Sequence, residues 1–138
     1  MKKFFLTLAV SASMFLTASA QRIWRAWNFH EGFAMVQAAE QKGYCFIDRT
    51  GKRVTDFYES ASDFSDGVAI VEKEGKWRIL DTAGKESVIL NYEQVRYRGF
   101  REGLLPVRQN GKWGYADKTG KPVIPCIYEN AGIFHDGV

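Results

Sequence analysis

The chain has 138 residues, 46% of them hydrophobic and 25% charged, with a formal net charge of +3. That length is enough for one small domain. Lys2 and Lys3 account for most of the excess charge, so residues 21–138 carry 17 basic against 16 acidic side chains. No concentrated basic stripe of the kind that binds nucleic acid is present.

The first element is a leader. Lys2 and Lys3 precede an apolar run from Phe4 to Thr17, and Ala18-Ser19-Ala20 fits the small-x-small cleavage rule. The run is shorter than the ~20 residues that a membrane span needs, and no later run reaches that length. Residues 1–20 are therefore read as a cleaved secretory signal and residues 21–138 as one repeat domain. The expected location is periplasmic, cell-envelope or extracellular, with no transmembrane segment after cleavage.

Trp24 and Trp27 follow. They read either as a terminal cap over the first repeat or as an exposed aromatic patch for sugar or protein, since exposed apolar patches often mark contacts.

From residue 29 onward one pattern recurs. Phe-x-[Asp/Glu]-Gly stands at Phe29–Gly32, Phe64–Gly67, Phe100–Gly103 and Phe134–Gly137, with the phenylalanines 35, 36 and 34 residues apart. A fixed period of that size marks stacked supersecondary units. The units run over 29–63, 64–99 and 100–133, and a fourth begins at 134. Because the acids Glu31, Asp66, Glu102 and Asp136 recur once per unit, they are read as turn residues and not as a catalytic constellation.

Within the first unit, Gly32 to Val36 reads as a strand. Gln37 to Lys42 has helix propensity but is too short for a helix, so it is read as a long hairpin end. Tyr44 occupies the position held by tryptophan in later units. Asp48-Arg49-Thr50-Gly51-Lys52 is a turn, and Tyr58-Glu59-x-Ala61 closes the unit. In the second unit, Gly67 to Val71 and Trp77 to Asp81 are strands flanking the Glu74-Gly75 turn. Trp77, Ile79 and Asp81 lie on one side, and Arg78 and Leu80 on the other. Thr82 to Lys85 is a turn, Val88 to Leu90 a strand, and Tyr92-Glu93-x-Val95 the closing segment. The third unit repeats this with a two-residue hairpin turn at Asn110-Gly111, where both positions need positive φ. Asp117-Lys118-Thr119-Gly120 suits a type I turn.

One hairpin is marginal by itself, and stacking covers its apolar face. The recurring aromatics Phe29, Phe64, Phe100, Phe134, Tyr44, Trp77, Trp113, Tyr58, Tyr92 and Tyr128 fit that role, each burying roughly 150–250 Å² when covered. The fold class is therefore all-β: tandem hairpin repeats of about 35 residues in an open, solenoid-like array. The alternative is a small propeller-like closure, for which units of this length are short compared with common blades of roughly 40–45 residues.

Cys45 and Cys126 lie at non-equivalent positions of the first and third units. Units two apart are commonly farther than the roughly 7 Å between Cα atoms that a disulfide spans, so two buried free thiols are favoured over a bridge. With no CxxC and no His/Cys cluster, no metal or cofactor is expected.

Gly111-Lys112-Trp113-Gly114-Tyr115-Ala116-Asp117, followed by Gly120-Lys121-Pro122-Val123-Ile124-Pro125 and Tyr128, resembles the WG repeat, also called the KWG repeat. The second unit departs from it with Trp77-Arg78 for Trp-Gly, and with Leu90-Asn91 where proline is usual. The first, with Tyr44-Cys45, resembles it only through spacing and turns. The resemblance implies a β-rich repeat domain, a bacterial and often exported protein, and no catalytic residues to carry over.

The remaining candidates are weighed one by one. His30 and His135 share a repeat position and read as exposed turn residues. No serine lies in a Gly-x-Ser-x-Gly context. The one local basic cluster, Arg96-Tyr97-Arg98-Gly99-Phe100-Arg101, reads as a solvated turn, with a phosphate or glycan contact as the alternative. Specificity is sought where units differ: Trp24, Trp27, Arg78, Arg96 and Arg98. The sequence thus points to an exported, non-catalytic binding module for protein or a cell-surface glycan. The alternatives are an accessory segment of a larger envelope enzyme and a purely structural envelope protein. The fourth motif reaches only Val138, from which truncation of a longer array is expected. Completion by a partner, or by the segment from Ile23 to Trp27, is the alternative.

Overall fold

The computed structural model describes residues 22–133. The leader at 1–20 and the fourth motif, including His135 and Asp136, lie outside the described residues. Within them, all regular structure is β-strand. The strands are short because turn formers interrupt the chain every few residues, as the alternation of apolar runs with Asp-Gly, Glu-Gly and Asn-Gly steps requires.

Three antiparallel sheets form in series. The first contains β1 (Ile23–His30), β2 (Phe33–Ala38) and β3 (Tyr44–Ile47), in that order. Its next strand position is held by residues 53–58 through isolated bridges Ile47↔Arg53 and Tyr44↔Tyr58. The second sheet has β4 (Ser60–Ala61), β5 (Val68–Lys73), β6 (Lys76–Asp81) and β7 (Glu86–Leu90). The third has β8 (Gln94–Val95), β9 (Leu105–Gln109), β10 (Lys112–Ala116) and β11 (Pro122–Tyr128). Among the described residues no sheet closes on itself into a barrel, consistent with tandem β-hairpin repeats.

The Phe-x-acid-Gly motif is itself a hairpin turn. Glu31, Asp66 and Glu102 have φ of 51°, 55° and 52°, and the glycines after them 89°, 80° and 76°. Two successive positive φ values define a type I′ turn, whose twist matches the flanking strands. Reciprocal amide–carbonyl bonds close it: Ser65 with Val68 at 2.9 and 3.2 Å, and Arg101 with Leu104 at 2.9 and 3.0 Å. Glu74-Gly75 and Asn110-Gly111 adopt the same geometry. Each sheet consequently begins one strand before its motif, and the closing Tyr-Glu segment of one sequence unit runs into the first strand of the next sheet.

Two apolar clusters join the sheets. Met35, Phe46, Tyr58, Phe64, Ala69, Val71 and Leu80 form one, between the first and second sheets. Ile70, Ile79, Leu90, Val95, Phe100, Leu105 and Val107 belong to the other, between the second and third. The middle sheet is thus covered on both faces, which is why β5 reads Val-Ala-Ile-Val without polar alternation. Phe64 packs on Phe33 and Phe46 with ring centroids 4.9 Å apart in each case. The motif phenylalanine therefore faces the preceding sheet, and Phe29, in the first sheet, is 43% exposed.

The Trp-Gly pair has a steric cause. A Cβ on Gly114 would lie 2.7 Å from the backbone of Pro125 and Cys126. Here β11 is irregular: Trp113 pairs Tyr128 but Tyr115 pairs Ile124, a bulge of the kind in which proline is tolerated within sheets. In the second sheet Trp77, Arg78 and Ile79 pair Leu90, Ile89 and Val88 without a break. A side chain at 78 therefore fits. The register puts Ile89, and not Leu90-Asn91 as expected from the sequence, at the place of Pro125.

Candidate functional site

The recurrent acids of the motif bridge one unit to the next. Both carboxylate oxygens of Glu31 accept from the Gly67 amide at 3.1 Å, and Asp66 Oδ2 accepts from the Gly103 amide at 2.8 Å. A second set of acids works within a sheet, from beside its first strand to the other hairpin turn. Glu59 Oε1 accepts from the Glu74 amide at 2.7 Å, and Glu93 accepts from the Asn110 and Gly111 amides at 2.8 and 3.2 Å. Sequence reasoning assigned Glu59 and Glu93 no role, although their recurrence after Tyr58 and Tyr92 was the available signal. A carboxylate accepting backbone amides makes a charge-assisted bond, stronger than a neutral one.

The acids of the longer turns act locally. Asp48 Oδ1 accepts from the Thr50 amide at 2.8 Å and from the Thr50 hydroxyl, and Asp117 does the same with Thr119. The threonine hydroxyl is the main reason that both carboxyls titrate below their ordinary value. His30 Nε2 lies 3.5 Å from Asp63 Oδ2 at the surface, a contact that becomes an ion pair when the imidazole is protonated.

Among the specificity candidates, Arg78 lies at the seam between the first two sheets. Its guanidinium contacts Glu86 Oε2 at 2.9 Å and Glu74 at 3.7 Å. Tyr58 donates its hydroxyl to Glu86 Oε1 at 3.2 Å, and burial, with Glu86 beside it, raises the phenol above its ordinary range. Lys73 sits 3.7 Å from both Glu86 and Asp56. Arg78 is thus neutralised inside a mixed-charge network.

Trp24 and Trp27 are separated. Trp27 meets Tyr44 edge-on at 5.7 Å, under the guanidinium of Arg25, and packs against the first inter-sheet cluster. Trp24 is 69% exposed and borders a depression of about 470 Å³ with residues 37–42. Gln37 and Ala38 end β2, and residues 39–43 form the hairpin end before β3, so the hairpin end read from the sequence begins two residues later than expected.

Arg96 and Arg98 come together. With the exposed Tyr97 and residues 130–133 they line a depression of about 330 Å³. Arg96 stacks over Trp113, 4.5 Å from the ring centroid, and donates to Asn130 Oδ1 at 2.8 Å.

The thiols of Cys45 and Cys126 are free and lie in the first and third sheets, with the second between them. Among the described residues no group of three or more His, Cys, Asp or Glu side chains is placed to hold a metal ion. No helix there is long and apolar enough to cross a membrane.

The Trp77 and Trp113 strands, the Asp-turn glycines and the three sheets in series form one repeated architecture. The model for the WG containing repeat matches residues 44–77, 79–113 and 113–138. The chain belongs to the WG-repeat family. The matches include the Tyr44 unit, so the least typical WG repeat is recognised despite its Tyr-Cys pair. No curated protein and no solved structure matches this WG-repeat chain.

Proposed function

We propose that this WG-repeat chain is an exported, non-catalytic binding module of the bacterial cell envelope, whose ligand is a protein or a glycan. The observation that carries the reading is the engagement of the recurrent acids. Glu31 and Asp66 each hold a backbone amide of the next sheet, and Glu59 and Glu93 each hold the hairpin turn of their own. These carboxylates support the stack, and the side chains that vary between units remain for recognition. Stacked repeats present extended surfaces suited to such contacts.

The test is a pulldown with the exported protein together with a glycan array. Retention of a protein or glycan that is weakened by Trp24→Ala or Arg98→Ala, with the fold intact, supports the module. Retention of neither class contradicts it.

A further inference from the structure

Resting on that binding-module reading, we infer that the depression beside Arg96 and Arg98 is a site for the anionic groups of an acidic polysaccharide. The contrast between two arginines points there. Arg78 is matched by the carboxylates of Glu86 and Glu74. Arg96 and Arg98 have no ion pair among the described residues. Among the described residues the depression is lined by Arg96, Tyr97, Arg98, Asn130, Ala131, Gly132 and Ile133, a set without a carboxylate.

Arg96 is partly buried, and its Nε, like that of Arg78, is enclosed without a hydrogen-bond partner; unlike Arg78, Arg96 has no carboxylate among the described residues at its other guanidinium nitrogens. A buried polar group normally has a partner, and a buried charge normally has an opposite charge. Stacking on Trp113 and the bond to Asn130 orient the guanidinium but do not neutralise it. Arg98 is exposed and contributes the second cation. Guanidinium groups bind carboxylate and phosphate as two parallel hydrogen bonds.

Beside them Tyr97 is 65% exposed. An exposed ring with a polar tip offers a flat apolar surface next to the cations. Two cations, an aromatic face and the Asn130 side chain suit a sugar bearing an acid. The anion is a carboxylate, as in a uronic acid, or a phosphate, as in a sugar- or polyol-phosphate polymer.

Binding of the full chain to immobilised polygalacturonate, to a polyglycerol-phosphate polymer and to neutral dextran tests this. The expected result is retention on one or both acidic polymers and none on dextran. Retention should weaken about tenfold or more in Arg98→Ala and fall between roughly 50 and 300 mM salt. Arg98 is exposed, so its loss should leave the melting temperature unchanged, and Arg98→Lys should recover part of the binding. Equal retention on dextran, or acidic-polymer binding unaffected by Arg98→Ala, overturns the site. If neither acidic polymer binds but a protein or neutral glycan does, this inference fails and the binding module stands. If nothing binds, both fail.

Discussion

The carboxylate of Asp66 accepts a 2.8 Å hydrogen bond from the backbone amide of Gly103, which lies 37 residues further along the chain. The same turn position therefore does two things. Its φ of 55° completes a type I′ hairpin in one sheet, and its side chain holds the corresponding hairpin of the next. Glu31 and Gly67 repeat the relationship one unit earlier.

Asp66→Ala should destabilise the protein by about 1–3 kcal/mol, since the Gly103 amide loses a charged acceptor and alanine is less tolerant of positive φ. Asp66→Asn keeps the turn conformation and an oxygen acceptor, so it should cost less. Chemical denaturation of both variants checks the order.

Phe29 and Phe64 occupy one motif position in different surroundings. Phe64 is 3% exposed and packs on two rings; Phe29 is 43% exposed. Phe64→Ala should cost about 3–5 kcal/mol, in the range for large core truncations. Phe29→Ala should cost less than about 1 kcal/mol, as for surface changes. Thermal or urea melts of the pair compare them directly.

Gly120 has φ of +83°, and a Cβ there would meet the Val88 side chain at 3.1 Å and the Leu90 side chain at 3.3 Å. Gly120→Val adds a β-branched side chain to a left-handed conformation and pushes on the preceding sheet. A loss of at least about 2 kcal/mol is expected, read as a lowered melting temperature; a variant melting like wild type contradicts the packing.

Acid should destabilise the fold through the Asp turns. The Thr50 and Thr119 hydroxyls hold the Asp48 and Asp117 carboxyls below their ordinary 3.8. A carboxyl depressed in the folded state stabilises fully above its unfolded value, and that contribution is lost as pH falls through the folded value. Melting temperature should therefore drop below about pH 4, and the drop should be shallower in Asp117→Asn, which cannot be protonated. An unchanged acid limb in that variant would remove Asp117 from the account.

Much of this architecture was legible in the sequence. Asn110-Gly111 and Asp117 to Gly120 announced their turns because each conformation demands those residue types. The period of the phenylalanines announced the stack. What could not be read was the direction of inter-unit contacts. Spacing makes Asp66 a turn residue, but only the placement of the next sheet aims its carboxylate at Gly103. Arg78 and Arg96 both stood out as non-repeated cations. The sequence did not separate them, because Glu86 reaches Arg78 only through β6–β7 pairing, and Arg96 meets Trp113 only across β8, β9 and β10. Gly114 likewise needed the bulge opposite it, which depends on where Pro125 falls in the register.

Amide hydrogen exchange at Gly103 tests the inter-unit clamp most directly. In Asp66→Ala the Gly103 amide should exchange about tenfold faster or more, while the Asn110 amide, held by Glu93, keeps its protection. Unchanged exchange at Gly103, or an equal loss of protection at both amides, would contradict the clamp.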